Sequence, residues 1–232
     1  MQICGLQKIT LLDFPGLVAC TVFTGGCNLR CPFCHNAPLV TEARPESLAP
    51  EDFFAFLRKR QGLLDGVAVT GGEPTLHPDL PDFLKQIREL GYRIKLDTNG
   101  TSPQMLWKIL HLGLADRVAM DIKNSPERYA ITVGLPGFDI APVRESARLL
   151  MESGIPFEFR TTVVKPLHRS EDFDAIGRWL RGGEDFFLQS YTDSGHVISP
   201  DGLNAYSAEE LRSFADIMKN YIPNTYLRGV EE

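Results

Sequence analysis

Three cysteines, Cys27, Cys31 and Cys34, lie within one eight-residue stretch and are spaced C-x3-C-x2-C. The whole chain contains only five cysteines, so three together in a segment that begins with Gly25-Gly26 indicate metal ligation. Four cysteine thiolates close a metal site, whereas three on a cubane iron–sulfur cluster leave one iron without a protein ligand. The spacing therefore predicts a metal centre with an open position for a substrate or cofactor.

Two other functions for these cysteines remain open on spacing alone. A zinc site formed by Cys27, Cys31, Cys34 and His35 is a competitor. A redox-active pair of Cys31 and Cys34, as in thioredoxin-like proteins, fits less well, because it leaves Cys27 unexplained and no helix clearly begins there.

A second motif, Gly71-Gly72-Glu73-Pro74, follows a predicted strand at residues 66–70. Two glycines after a strand let the backbone approach a ligand closely and leave backbone N–H and C=O groups free to bind it. Alone, this tetrapeptide could be an ordinary strand-to-helix turn. Together with the cysteine motif it is much more specific.

The elements that must position these motifs alternate along the chain. Apolar spacing and turn residues predict six strands, at residues 17–24, 66–70, 93–98, 117–123, 156–164 and 185–191. Each is followed by a predicted helix, at residues 50–60, 79–90, 103–112, 141–153, 170–181 and from 207 onward. Such alternation predicts a parallel sheet with right-handed crossovers, and we expect a single domain over residues 1–232.

Polar residues on three strands help to choose between a doubly wound open sheet and a partial barrel, since six units are too few for an eight-fold barrel. Alternation places charged pairs on one side of their strands: Lys95 with Asp97, Asp121 with Lys123, and Glu158 with Arg160. A flat sheet between helices tolerates few such residues, whereas the mouth of a barrel can collect them around a ligand. A self-satisfied ionic network is the alternative. We expect a partial (β/α)6 barrel that binds a zwitterionic ligand.

Composition limits the partners and the compartment. The 232-residue chain has a net charge of -6, which argues against non-specific nucleic-acid binding, and no apolar run of about 18 residues that would predict a membrane span. The first residues lack the basic and apolar regions of a signal peptide. The cysteine usage favours a reducing cytoplasm. We expect Cys4 and Cys20 to be buried apolar-like residues, with a fourth cluster ligand as the alternative.

The two motifs together, with Phe33 as the aromatic residue before the last cysteine, resemble the radical S-adenosylmethionine (SAM) superfamily. Longer stretches resemble the glycyl-radical-enzyme activating enzymes, from about residue 5 to residue 191 and again in Tyr226-Leu227-Arg228-Gly229. Among these, the chain is most similar to anaerobic ribonucleoside-triphosphate reductase activating proteins, with pyruvate formate-lyase activating enzymes close. The stretches are Asp13-Phe14-Pro15-Gly16, 24–31, Cys34-His35-Asn36, Asp97-Thr98-Asn99-Gly100 and Asp121-Ile122-Lys123.

The resemblance implies one [4Fe–4S] cluster on Cys27, Cys31 and Cys34, with the amino and carboxylate groups of SAM on the open iron. It also implies residues that contact SAM and a possible monovalent cation: Phe33 beside the adenine, Gly71, Gly72 and Glu73 at the methionine amino group, Asp97, Thr98 and Asp121 near the ribose, carboxylate and cation, and Lys123 and Arg160 at the carboxylate. Relatives carry a ribose-contacting histidine after the last strand, where this chain has Thr192. His196 is a candidate substitute.

The activity implied is reductive cleavage of SAM to methionine and a 5′-deoxyadenosyl radical, which removes hydrogen from the Cα of a glycine in a partner enzyme. Anaerobic ribonucleoside-triphosphate reductase is the expected partner, and a flavodoxin or ferredoxin the expected electron donor. The alternatives are a pyruvate formate-lyase activating enzyme, a small-molecule enzyme such as 7-carboxy-7-deazaguanine synthase, and a zinc-stabilised binding module. The sequence predicts surface or loop positions for the remaining histidines, His77, His111 and His168.

Overall fold

The computed structural model describes residues 1–41, 47–193, 195 and 197–230. Its eight strands form one sheet whose spatial order follows the sequence. The first strand is antiparallel to the second, and every later strand pairs with its neighbour in parallel. The strands are β1 Ile3–Thr10, β2 Ala19–Thr24, β3 Gly66–Gly71, β4 Arg93–Thr98, β5 Arg117–Asp121, β6 Phe157–Val163, β7 Asp185–Ser190 and β8 Thr225–Arg228.

The crossovers between the parallel strands contain the helices. They are α1 Ala37–Thr41, α2 Pro50–Arg60, α3 Leu80–Glu89, α4 Pro103–His111, α5 Tyr129–Thr132, α6 Ala141–Glu152, α7 Ser170–Trp179 and α8 Ala208–Lys219, with a single 3-10 turn at Pro74–Leu76. Local chemistry sets several boundaries. Proline occupies the first turn of α2, α3, α4 and α6, where its missing N–H is not needed. α8 begins with a capping box, in which the Ser207 hydroxyl accepts from Glu210 N and the Glu210 carboxylate accepts from Ser207 N.

The sheet is curved into a partial barrel, as the sequence predicts. Side chains from β1 through β7 line one cavity on its inner side, which a flat sheet could not achieve. The strand order ends with β1 at one edge and β8 at the other, so the barrel is open between them. The six predicted strands correspond to β2–β7.

The outer side of the sheet carries the apolar core. Val67, Val69, Ile94, Leu96 and Val118 are fully buried on this side and pack within one cluster with the helices. Burial of each such side chain stabilises the fold by roughly 1.5–3 kcal/mol. The inner side is therefore free to hold the polar residues.

Four elements were not predicted, namely the edge strands β1 and β8 and the short helices α1 and α5. β1 is an edge strand of mixed polarity with two irregularities in its pairing, so its sequence lacks clean alternation. β8 has only four residues and is stabilised by pairing with β7. On α6, Met151 is exposed, whereas Ser146 is buried and its hydroxyl donates to Gly100 O at 2.7 Å. Ser102 precedes α4 without a side-chain cap.

None of the described helices has the length and apolar character needed to cross a membrane.

Candidate active site

A cavity of about 320 Å³ lies at the carboxyl ends of the parallel strands, within the usual size range of small-molecule sites. Apart from the candidate substitute His196, every residue that the sequence singles out for a cluster or SAM lines this one cavity. They are Cys27, Cys31, Phe33, Cys34, Gly71, Gly72, Glu73, Asp97, Thr98, Asp121, Lys123 and Arg160.

The cysteine loop leaves β2 at Thr24 and is held by hydrogen bonds along its length. Gly26 has a φ of 81°, a left-handed conformation that favours glycine, and its N–H donates to Leu39 O at 2.8 Å. Arg30 turns its guanidinium back onto the loop and donates to Cys27 O at 2.7 Å and to Leu29 O at 2.8 Å. The loop is thus shaped by the protein itself.

Cys31 and Cys27 are thiols that burial alone would keep protonated. Burial raises the pKa of Cys31 to about 12 and also raises the pKa of Cys27. Such sulfurs are inert unless a metal stabilises the thiolate. The Cys27 sulfur already accepts N–H groups from Leu29 at 3.4 Å and from Asn99 at 3.8 Å, which also stabilises a thiolate. Three thiols on one cavity, one of them with two N–H donors, fit a three-thiolate cluster.

The zinc alternative finds no support in this geometry. Among the described residues, no three His, Cys, Asp or Glu side chains, the three loop cysteines included, are arranged to hold a single metal ion. The ring nitrogen Nε2 of His35 is hydrogen-bonded to Thr192 O at 2.6 Å and so already has a partner.

The Gly71-Gly72 turn packs directly on the cysteine loop. Gly72 N donates to Thr24 O and Glu73 N donates to Gly26 O, both at 2.8 Å. A Cβ on Gly72 would lie 1.9 Å from Gly26 O, and one on Gly71 would lie 2.3 Å from Thr24 N. The sequence attributes these glycines to close approach of a ligand, but their nearest neighbour in the fold is the cysteine loop.

The Glu73 carboxylate organises the turn after β4. It is 1% exposed and accepts hydrogen bonds from Thr98 Oγ1 at 2.7 Å, Asn99 N at 2.6 Å and Thr75 N at 3.0 Å. Burial raises its pKa, although these hydrogen bonds act in the opposite direction. Glu73 therefore connects the second motif to the Asp97–Gly100 turn.

Charged side chains on the wall form a continuous network. Arg160 lies 3.2 Å from Asp97 and 3.0 Å from Asp121, Lys95 lies 2.6 Å from Asp97, and Lys123 lies 2.9 Å from Asp121. Burial alone would raise the pKa values of Asp97 and Asp121. The nearby cations have the larger effect and hold both pKa values below their usual range: Arg160 and Lys95 act on Asp97, and Lys123 and Arg160 act on Asp121. Both carboxylates are thus ionised beside cations, so the wall can pair with both charges of a zwitterion.

The expected self-satisfied network is also present, because each of these charges has a partner within the protein. Glu158 belongs to a deeper part of it, where its carboxylate contacts Arg117 at 2.9 Å and Arg228 at 3.1 Å. Four members of this ionic network line the cavity, namely Asp97, Asp121, Lys123 and Arg160.

The remaining histidines differ in position. His111 is exposed, and His77 is partly buried with Nε2 at 2.9 Å from Gly25 O. His168 lies in the loop after β6, but it is fully buried rather than at the surface. Its Nε2 lies 2.8 Å from Lys123 O, so it supports the end of β5 next to the cavity.

Several polar residues on the cavity wall were missed. Asp13, Asn36 and Asn99 line the cavity and belong to three of the family-like motifs, so their place in those motifs could have identified them. Thr162 and Gln189 face each other on β6 and β7, and alternation from Arg160 predicts the inward side of Thr162. The candidate substitute His196 lies outside the described residues, and Thr192 offers its carbonyl to His35.

Comparison with known proteins places this fold and site in a family. The model of the radical SAM superfamily matches residues 21–180. A Methanocaldococcus jannaschii protein named as a glycyl-radical enzyme activating enzyme is 27% identical over 98% of this chain and 96% of its own length. The pyruvate formate-lyase-activating enzyme of Streptococcus mutans is 31% identical over 73% of this chain and 68% of its own.

A solved structure supports the fold. Streptococcus suis SuiB bound to S-adenosylmethionine superposes with a TM-score of 0.66 at 17% identity, covering 90% of this chain and 52% of that one. The family model covers more than half of the chain, and its match spans the cysteine loop and the charged wall of the cavity. The chain belongs to the radical SAM superfamily.

Proposed function

We propose that this chain is an activating enzyme that generates a glycyl radical on a partner protein. The observation that carries the proposal is the similarity, over nearly the whole of both chains, to the M. jannaschii protein named for that activity. As a radical SAM enzyme the chain uses a [4Fe–4S] cluster and SAM. Anaerobic ribonucleoside-triphosphate reductase is the partner we favour, and pyruvate formate-lyase is the alternative.

In this proposal Cys27, Cys31 and Cys34 hold the cluster. The cluster would supply the electron for reductive cleavage of SAM, and SAM would supply the radical that takes hydrogen from a glycine Cα. The chain's own contribution is to position these groups. Burial of Cys31 beneath the cavity keeps water from that side of the metal site.

The wall residues orient SAM. We assign the carboxylate of its methionine moiety to Lys123 and Arg160, which are cations on the cavity wall with fixed partners. Gly71 and Gly72 offer backbone groups to the amino group, and Glu73 fixes their turn. The buried ring of Phe33 provides an apolar surface for the adenine. Asp97, Thr98 and Asp121 complete the ribose and monovalent-cation side.

Two further expectations belong to the same proposal. A flavodoxin or ferredoxin would reduce the cluster, and the reaction would take place in the reducing cytoplasm that the cysteine content favours.

The test combines anaerobically reconstituted protein, dithionite, SAM and purified anaerobic ribonucleoside-triphosphate reductase. We expect a glycyl-radical doublet in the EPR spectrum and one 5′-deoxyadenosine per radical. A parallel reaction with pyruvate formate-lyase tells the two partners apart, and the Cys31→Ala variant is the control without a cluster. Absence of the doublet with both partners, together with turnover of a pterin substrate, would exclude the proposal in favour of a small-molecule enzyme.

A further inference from the structure

The side-chain amide of Asn99 lies against the sulfur of one cluster cysteine. Asn99 follows β4, is 5% exposed, and places Nδ2 3.8 Å from Cys27 Sγ. The same sulfur accepts the backbone N–H of Leu29 at 3.4 Å. Within the described part of the chain, Cys31 and Cys34 accept no such hydrogen bond at sulfur. Cys27 is therefore distinguished from the other two ligands by two N–H donors.

The orientation of this amide is fixed by its other partners. Asn99 Oδ1 lies 2.9 Å from Thr101 N and 2.7 Å from Thr101 Oγ1. A backbone N–H can only donate, so the oxygen of the amide must face Thr101 and its nitrogen must face Cys27. The same nitrogen donates to Asn28 Oδ1 at 3.1 Å, and Asn28 Nδ2 donates to Thr101 Oγ1 at 2.9 Å. Three side chains thus close a ring beside Cys27.

The buried carboxylate of Glu73 fixes the position of this ring relative to Cys27. Glu73 accepts the backbone N–H of Asn99 at 2.6 Å and the hydroxyl of Thr98 at 2.7 Å. Its partners in the described structure are neutral donors, so its role there is to fix the turn rather than to balance a nearby cation. Glu73, in the turn after β3, therefore fixes Asn99, whose side chain reaches the Cys27 sulfur from the end of β4.

We propose that Asn99 is a positioning residue that tunes the cluster through Cys27. An N–H donor withdraws electron density from a thiolate ligand and stabilises the more negative, reduced cluster, so it raises the reduction potential. The inference concerns the cluster alone, and it stands whichever partner protein the enzyme activates.

The test compares Asn99→Ala with Asn28→Ala. The second variant removes an amide from the same ring but leaves the donor to sulfur in place. We measure iron per chain and the midpoint potential of the cluster by EPR-monitored redox titration. We expect Asn99→Ala to retain its iron, to be reduced only at a more negative potential, and to cleave SAM about tenfold more slowly under limiting reductant. Asn28→Ala should keep the wild-type potential. An unchanged potential in Asn99→Ala would overturn the proposal.

A second measurement decides the matter if Asn99→Ala fails to hold a cluster. Wild-type protein and the Asn28→Ala/Asn36→Ala double variant, which lacks the other two amides beside the cysteine loop, are prepared with asparagine labelled with ¹⁵N in the side chain only. The reduced cluster is then examined by pulsed EPR. We expect a ¹⁵N coupling in both proteins, since Asn99 is common to them and the backbone donor from Leu29 carries no label. A spectrum without that coupling would refute the hydrogen bond directly.

Discussion

At the scale of single residues, the proposal assigns some residues of the site to the cluster and others to SAM. Cys31 is 6% exposed and has no hydrogen bond to its sulfur among the described residues, so metal binding is the main means of stabilising its thiolate. Lys123 approaches the cavity from the loop after β5 and is paired with Asp121. Substitution at the two positions should therefore produce different losses.

We expect Cys31→Ala to abolish the cluster and SAM cleavage together, because only two cysteine ligands would remain. Iron per chain and absorbance near 400 nm measure the first effect, and 5′-deoxyadenosine production measures the second. The matched control is Cys20→Ala, at a buried cysteine outside the cavity, which should retain iron. Continued SAM cleavage by Cys31→Ala would contradict the ligand assignment.

We expect Lys123→Ala to weaken SAM binding by about tenfold or more while leaving the cluster absorbance intact. A hydrogen bond to a charged partner contributes roughly 1.5–3 kcal/mol, and Asp121 keeps Arg160 as a counter-ion. Isothermal titration with SAM measures the affinity, and Lys219→Ala on the exposed face of α8 is the control. Loss of the cluster in Lys123→Ala would show that this lysine has a different role.

At the scale of elements, the decisive contact is between two turns that follow neighbouring parallel strands. The turn after β3 lies on the cysteine loop after β2, and hydrogen bonds from Gly72 N and Glu73 N join them. The Glu73 carboxylate then reaches the turn after β4. Three consecutive strand ends are thus fixed relative to one another by hydrogen bonds within the protein.

We expect Gly72→Ala to destabilise the protein by at least about 2 kcal/mol and to lower its iron content, because the new Cβ would lie 1.9 Å from Gly26 O. Chemical denaturation of the metal-free protein measures the first effect and iron analysis the second. Gly5→Ala is the control, since its Cβ would meet the Phe23 side chain at 3.3 Å and that ring can shift. Equal stability of the two variants would show that the turns are not tightly packed.

At the scale of the whole molecule, a single open sheet joins both sequence motifs to the charged wall. All eight strands belong to it, which supports the expectation that residues 1–232 form one domain, although that expectation stays a prediction. The polar inner side and the apolar outer side divide the roles of the sheet, so the core stabilises the fold without occupying the cavity.

Anaerobically purified protein should be brown and contain about four irons per chain, as one cluster. The reason is the cysteine inventory, since no cysteine follows Cys34 and only Cys4 and Cys20 remain outside the loop. Iron and sulfide analysis with Mössbauer spectroscopy measures the stoichiometry. A colourless, folded protein loaded with zinc would contradict it.

The sequence by itself determined the six central strands, the longer helix that follows each of them and twelve of the residues that line the cavity. It could do so because strand alternation, helix caps and short motifs are local signals. The alternation of side chains along a strand likewise predicts that Arg160 and Asp97 face inward. The edge strands β1 and β8 were not predicted, because irregular or short strands depend on pairing with a neighbour.

Only the tertiary structure decided which motif residues contact one another. Glu73 and Asn99 are 26 positions apart, and no local pattern reveals that one anchors the other beneath the Cys27 sulfur. The same holds for Gly72, whose missing side chain makes room for the cysteine loop, and for His168, which is buried under Lys123. Such contacts arise where parallel strands end side by side, so they depend on the curvature and register of the sheet rather than on neighbouring residues.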